Sequence, residues 1–353
     1  MAENIEILYH REWHHRWLVL LALACTLLIV GFIALNAGSI HLTVADVISS
    51  LFSPAAVSPQ TQMVVMDLRM PRILLAILTG ASLAVAGTVM QALMRNPLVS
   101  PFTLGMSSAA SFGAACAIVM SSLPLLSLLF MKYQDGFIVI SAFVFGLGSI
   151  FIIYAISLRR GSTSATLILA GVVIGYIFQA GLMILQYTSN NEKLRQITLW
   201  LMGGMWGANW SAIFIITPIV ILCLAYLLYK AWDFNALLAG DEVATNAGVE
   251  IKKVRLWGLF FCTLASSACL AFTGIIGFIG LIGPHIGRLI IGQDNRYLIP
   301  CSALLGAVIL LVSDTIGRTI IEPVEIPVGV IMYLLGGLFF LYLILSKNNR
   351  IFT

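Results

Sequence analysis

Apolar residues in this chain fall into long unbroken runs instead of alternating with polar ones. Ten runs can be marked, at roughly residues 17–36, 71–94, 102–122, 137–158, 165–187, 211–229, 254–273, 275–291, 298–320 and 327–345. A helix needs about 20 apolar residues to cross about 30 Å of hydrocarbon, because each backbone polar group must be paired within the segment. The period-two pattern of a barrel strand is absent. The pattern predicts an all-α integral membrane protein of about ten transmembrane helices, organised as a single domain over residues 1–353.

The eighth run is the shortest and holds Pro284, His285 and Arg288, so hydropathy alone could drop it. The charges argue for keeping it. With ten spans and the N-terminus inside, one side collects Arg11, Arg16, Arg95, Arg159, Arg160, Lys230, Lys252, Lys253, Arg255, Arg288, Arg296, Lys347 and Arg350, which is 13 of the 19 Lys and Arg. The other side receives Arg69, Arg72, Lys132, Lys193, Arg195 and Arg318. That split follows the positive-inside rule and places both termini in the cytoplasm of a cell (cytoplasmic or inner) membrane. The first run is too long for the h-region of a cleaved signal, so it is read as a retained helix.

Composition agrees: 60% of residues are hydrophobic and 10% charged, with a mean hydropathy of +1.02. The net charge of +4 is spread along the chain without a basic cluster, which argues against a nucleic-acid partner. Six cysteines all lie in apolar runs, with no C-x-x-C pair and no His at metal-ligand spacing, so they read as core residues and no metal site is expected. There is no G-x-x-x-x-G-K-S/T, H-E-x-x-H or G-x-S-x-G, so neither nucleotide hydrolysis nor membrane proteolysis is expected of this chain, and no catalytic residue is assigned.

The stretch "DLRMPRILLAILTGASLAVAG" raises a question, because Pro71 predicts a helix start there and Arg69 and Arg72 would oppose the dipole of that helix. Arg318 joins them on the outer side, where basic residues are depleted. Snorkelling to lipid phosphates and docking of a soluble acidic partner both account for the three. Asp314 lies four residues before Arg318 on one helical face, which predicts a structural ion pair between them. A titrating Asp314 would instead suit an ion-coupled secondary transporter, the alternative reading of the whole chain.

The longest inner loop reads "AWDFNALLAGDEVATNAGVEIKKV" from Ala231 to Val254. It mixes Leu237, Leu238, Val243 and Ala244 with Asp241, Glu242 and Glu250, and predicts one or two short helices broken at Gly240 and Gly248. Its acids on the anionic inner side favour a protein groove over lipid. The loops "RNPLVSP" and "RRGSTSA" read as tight turns or, through their small residues, as a narrow gate beside a pathway. "LAVAG" ending at Gly87 and "LAFTG" ending at Gly274 are each followed ten residues later by proline, which suggests an inverted internal repeat.

Two long blocks carry a resemblance: "RMPRILLAILTGASLAVAGTVMQALMRNPLVSPFTLG", and "GIIGFIGLIGPHIGRLIIG" with the downstream "LIPCSALLGAVILLVSDTIGR" and "EIPVGV". Together they resemble the FecCD (BtuC-like) permeases, the membrane subunits of ABC importers for ferric siderophores, haem and vitamin B12. The similarity runs from Met66 almost to the end, departing at "GGLFF" (Gly336 to Phe340), where a proline is usual in the last helix. The resemblance implies a homodimer or pseudo-symmetric pair, two cytoplasmic ATPases that bind ATP and Mg, an extracytoplasmic binding protein, and no cofactor in this chain. It implies that Arg69, Arg72 and Arg318 receive acids of the binding protein. It also implies that Leu237, Leu238, Gly240, Asp241, Glu242, Ala244 and Gly248, within a loop of about residues 231–253, seat in the ATPase. Thr163 and Ser164 match the small residues that narrow the pathway at its cytoplasmic end. A ferric siderophore is the expected cargo.

Overall fold

Each of the ten apolar runs is a helix in the computed structural model. The structure describes residues 2–345 except 39, 41, 54, 56, 122–126 and 160–162, with the backbone alone for 2–12 and 127–133. Arg160, Lys347 and Arg350, counted above in the charge split, lie outside the described residues. Eight helical stretches are long and apolar enough to span: α1 (Ala2–Asn36), the continuous Pro59–Met94, α6 (Ser127–Leu158), α7 (Ser164–Thr188), α9 (Trp210–Tyr229), α12 (Ile251–Thr273), α14 (Asn295–Thr319) and α15 (Val328–Leu345). Two shorter apolar helices, α5 (Met106–Met120) and α13 (Ile279–Ile291), complete the ten. Between spans lie α2 (Val44–Phe52), α8 (Asn191–Met202), α10 (Ala231–Ala239) and α11 (Asp241–Asn246).

The second span corrects the reading of Pro71 as a helix start. This span opens twelve residues earlier, where the Ser58 hydroxyl accepts the Thr61 N–H at 3.1 Å and Pro59 occupies the first turn as α3 (Pro59–Gln62). It then passes through a π-helical stretch, Met63–Arg69, into α4 (Met70–Met94). The wider π turn takes in a proline that would otherwise break an α-helix ladder. Arg69 and Arg72 therefore sit inside a continuous helix, and no free N-terminal dipole opposes them.

This second span is the axis of the molecule: 83% of its most apolar window is buried, against 11% for α1 and 28% for α7. It packs on α14, α12, α13 and α9. At two crossings the backbones touch. A Cβ on Gly87 would overlap the Gly280 carbonyl, and one on Gly80 would overlap that of Gly306, so only glycine lets α13 and α14 approach this closely. The two pentapeptides of the suggested repeat take different local structures. "LAVAG" lies within α4, whereas "LAFTG" ends α12 at Gly274, whose φ of +68° stops the helix. The last helix runs without a break through Gly336 and Gly337.

Candidate functional site

The two ends of the bundle carry different polar constructions. At the end where α1 finishes, basic side chains hold helix C-termini. The last carbonyls of α1 lack intrahelical donors, and a cation is favoured beside them. Arg69 donates from Nη1 to Leu35 O at 2.6 Å and Asn36 O at 3.0 Å, and from Nη2 to Ile40 O at 2.5 Å. Arg318 donates to Ala34 O at 3.0 Å and Ala37 O at 3.2 Å. Lys193 does the same for α5, reaching Val119 O at 2.6 Å and Ile118 O at 3.1 Å.

Arg72 is spent differently. Its Nε lies 3.1 Å from both oxygens of Asp314 and its Nη2 2.9 Å from Asp314 Oδ1, while Nη1 reaches Glu325 Oε2 at 2.8 Å. The fork joins α4, α14 and the loop before α15. Asp314 is only 1% exposed, and Arg318 Nε stands 3.4 Å from its Oδ2, outside good hydrogen-bond geometry. The ion pair predicted between Asp314 and Arg318 is therefore present, at 3.4 Å, but the carboxylate is held chiefly by Arg72, 242 residues away in sequence. The reading of Arg69 and Arg318 as surface docking charges needs correction: both are buried and committed to α1. Arg72 alone keeps partial exposure, at 16%, and its outermost partner Glu325 is 40% exposed.

The opposite end carries the loop singled out in the sequence. It forms the two short helices α10 and α11, separated by Gly240 at φ +125° and followed by Gly248 at φ +82°. Leu237 and Ala244 are buried with Phe234 in one apolar cluster, whereas Leu238, Glu242 and Val243 face outward. Asp241, the first residue of α11, lies 3.0 Å from Arg255 Nη2 through both oxygens and 3.4 Å from Arg95 Nη2. Thr163 is exposed and caps α7, its hydroxyl accepting the Thr166 N–H at 3.2 Å. Ser164, the first residue of α7, accepts from Arg255 Nη2 at 3.3 Å.

Arg255 is therefore the junction of this end. Its buried guanidinium also donates from Nε to Leu93 O, in the last turn of α4, at 3.4 Å. One side chain joins α4, α7, α11 and its own α12. The sequence reading counts Arg255 only as an inside charge, although it stands at the second position of a predicted span, and an ionisable residue there demands a partner. A second tie fixes α10 to α14. Asn235 donates to Asp294 Oδ1 at 2.8 Å and accepts from Asn295, and Arg296 pairs with Asp294 at 2.6 Å while stacking over Trp232. Burial alone would raise the Asp294 carboxyl, but the Arg296 and Asn235 hydrogen bonds outweigh it and hold the group below its ordinary value.

A bundle of membrane-length helices with a folded loop presented at one end is the architecture of a polytopic membrane protein. The chain belongs to the FecCD transport family, whose pattern matches residues 26–346. It is 40% identical over 286 residues to the hemin transport system permease protein HmuU of Yersinia pestis, covering 81% of this chain and 84% of that one. It is 33% identical over 332 residues to the iron(3+)-hydroxamate import system permease protein FhuG of Bacillus subtilis, covering 93% and 98%. The fold matches an inward-facing metal-chelate type ABC transporter with a TM-score of 0.81 at 31% identity, covering 92% of this chain and 98% of the other. The protein is a multi-pass membrane permease subunit of an ABC importer. It is not an enzyme: ATP hydrolysis belongs to a partner ATPase, and a substrate-binding protein delivers the cargo.

Proposed function

We propose that this permease carries a ferric siderophore as a homodimer, with two ATPases on the α10–α11 end, the binding protein on the opposite end, and both termini cytoplasmic. ATP and Mg are bound by the ATPases, and this chain holds no cofactor of its own. The cargo reading is supported by relatives whose names specify iron hydroxamate and hemin, both metal chelates. The orientation is supported by the charge split between the two ends. Against the ion-coupled alternative stands the match to a family of ABC permeases, and both oxygens of Asp314 are committed to Arg72.

The observation that carries the mechanism is the Arg255 junction. The outward residues Leu238, Glu242 and Val243 form the surface on which an ATPase would seat, and Asp241 of the same loop is tied through Arg255 to Ser164 at the mouth of α7. Movement of α11 under the ATPase is thereby transmitted to the end of α7, where Thr163 and Ser164 narrow the pathway. At the other end, acids of the binding protein compete with Glu325 for Arg72, above Arg69 and Arg318, which hold the end of α1 in place.

The test is uptake into sealed proteoliposomes holding the permease–ATPase complex, with the binding protein outside. Radio-iron hydroxamate should enter only with ATP inside and should be insensitive to a protonophore. Entry of hemin or cobalamin with exclusion of the iron hydroxamate would overturn the cargo assignment.

A further inference from the structure

A cavity of about 370 Å³ opens between the end of α4, α10, α13 and the start of α14. Its lining includes Gln91, Arg95, Leu238, His285, Arg288 and Asn295, and no carboxylate lines it. Apart from Leu238 at its edge, the transport reading makes no use of it. Arg288 Nη2 stands 3.2 Å from His285 Nδ1, and Arg288 has no carboxylate partner among the described residues. Arg95 is half-exposed and reaches Asp241 only at 3.4 Å, so the lining carries more positive than negative charge.

The same lining contains three buried polar atoms without a hydrogen-bond partner: Gln91 Oε1, Asn295 Oδ1 and His285 Nε2. The amide orientations are fixed, because Gln91 Nε2 donates to Gly280 O at 3.1 Å and Asn295 Nδ2 to Asn235 Oδ1 at 2.9 Å. Both orphan oxygens therefore accept. His285 Nδ1 lies 3.1 Å from Leu281 O, a carbonyl that can only accept, so Nδ1 carries the proton and Nε2 is a third orphan acceptor. A buried polar atom without a partner costs free energy of about 1–3 kcal/mol, so this lining is complementary to a ligand that combines an anion with hydroxyl donors.

We propose that this cavity binds the phosphoglycerol headgroup of an anionic phospholipid. The phosphate takes the Arg95 and Arg288 donors, and the glycerol hydroxyls donate to the acceptors of Gln91, Asn295 and His285. Leu289, which lines the cavity, and the next residue Ile290 are exposed on α13 and give an acyl chain an apolar surface beside the headgroup. A basic pocket between transmembrane helices at the cytoplasmic surface is a recurrent setting for anionic headgroups. Assigning this end to the cytoplasm rests on the orientation proposed above. The bound lipid would brace α10 against α13 and α14, next to the surface offered to the ATPase.

The test uses the intact detergent-solubilised permease–ATPase complex and native mass spectrometry, with short-chain phosphatidylglycerol, phosphatidylcholine of equal chain length, and inorganic phosphate as probes. Wild type should retain one phosphatidylglycerol per permease chain, in preference to phosphatidylcholine. Each of Arg288→Gln and Arg95→Gln should weaken retention by roughly tenfold, as for loss of a charge-assisted hydrogen bond. Arg288→Lys should weaken it less. Millimolar inorganic phosphate should displace the lipid only partly, because it lacks the acyl contact. Equal retention of the two lipids, unchanged retention by the Arg95→Gln/Arg288→Gln variant, or complete exchange by inorganic phosphate would overturn the proposal. Arg95 is surface-accessible, so its variant keeps the test free of a folding defect. Retention is read on the permease mass itself, so failure of the ATPase to co-purify would refute the transport reading without altering this result.

Discussion

Replacing Arg255 by glutamine tests whether the α10–α11 loop speaks to the mouth of α7. The substitution removes a buried guanidinium that meets Asp241 at 3.0 Å, Ser164 at 3.3 Å and Leu93 O at 3.4 Å. Asp241 is 39% exposed and keeps Arg95 at 3.4 Å, so its charge is left partly solvated and partly paired, not stranded. The lost interaction is then that of a charge-assisted hydrogen bond, about 1.5–3 kcal/mol. If that energy links α11 to α7, its loss weakens the bias that the ATPase exerts on the gate by about 10- to 150-fold. ATP hydrolysis by the reconstituted complex should stay within about twofold of wild type while transport per ATP falls at least tenfold. Arg255→Lys should be intermediate, because an ammonium keeps the charge but cannot serve Asp241, Ser164 and Leu93 O as a planar fork does. A double-mutant cycle with Asp241→Asn isolates the link from folding damage. Transport energies that add to within about 0.5 kcal/mol would show the two sites to be independent and would refute the coupling.

Two further outcomes follow from the α1 end. Glu325→Gln removes the competitor for Arg72 Nη1, so binding-protein affinity should rise by about 1.5- to 5-fold at low salt, the range of an exposed ion pair, and the gain should shrink as salt is added; unchanged or weaker docking by surface plasmon resonance would show that Arg72 does not receive the partner. Asp314→Asn leaves Arg72 and Arg318 without their buried counter-charge and should cost about 3–5 kcal/mol in reversible SDS unfolding, whereas Arg72→Leu/Asp314→Leu should cost less than the sum of the single changes; a single-variant cost under about 1 kcal/mol would mark the pair as no stronger than a surface one.

What could be read from the sequence was what repeats locally. Apolar runs mark the spans because every turn of a membrane helix reports its own environment, and the two glycines at 240 and 248 mark the breaks in the α10–α11 loop because a positive φ is a local demand. The partners of the arginines are not local. The i,i+4 spacing nominated Arg318 for Asp314, yet Arg72 wins because it can bring two nitrogens to the carboxylate from a neighbouring helix. The helix start placed at Pro71 failed for a related reason. A π turn leaves no periodic signature in seven residues, so the proline looked like a beginning when it lies inside a span opened by Ser58.

The distribution of basic residues holds a further physical lesson. The positive-inside rule treats outer cations as exceptions that call for a partner in trans, and docking charges were the natural candidate. In the structure, Arg69, Arg318 and Lys193 instead answer carbonyls at the ends of α1 and α5. A helix leaves its unpaired carbonyls at its C-terminus, and α1 and α5 both finish on this side, so cations are favoured here independently of membrane potential or partner. Of these four, Arg72, whose donors go to carboxylates and one of those exposed, has the bond that an incoming acid could take over without uncapping a helix. Among Arg69, Arg72 and Arg318, the charge most available to a partner is therefore the one that already holds a solvent-facing acid.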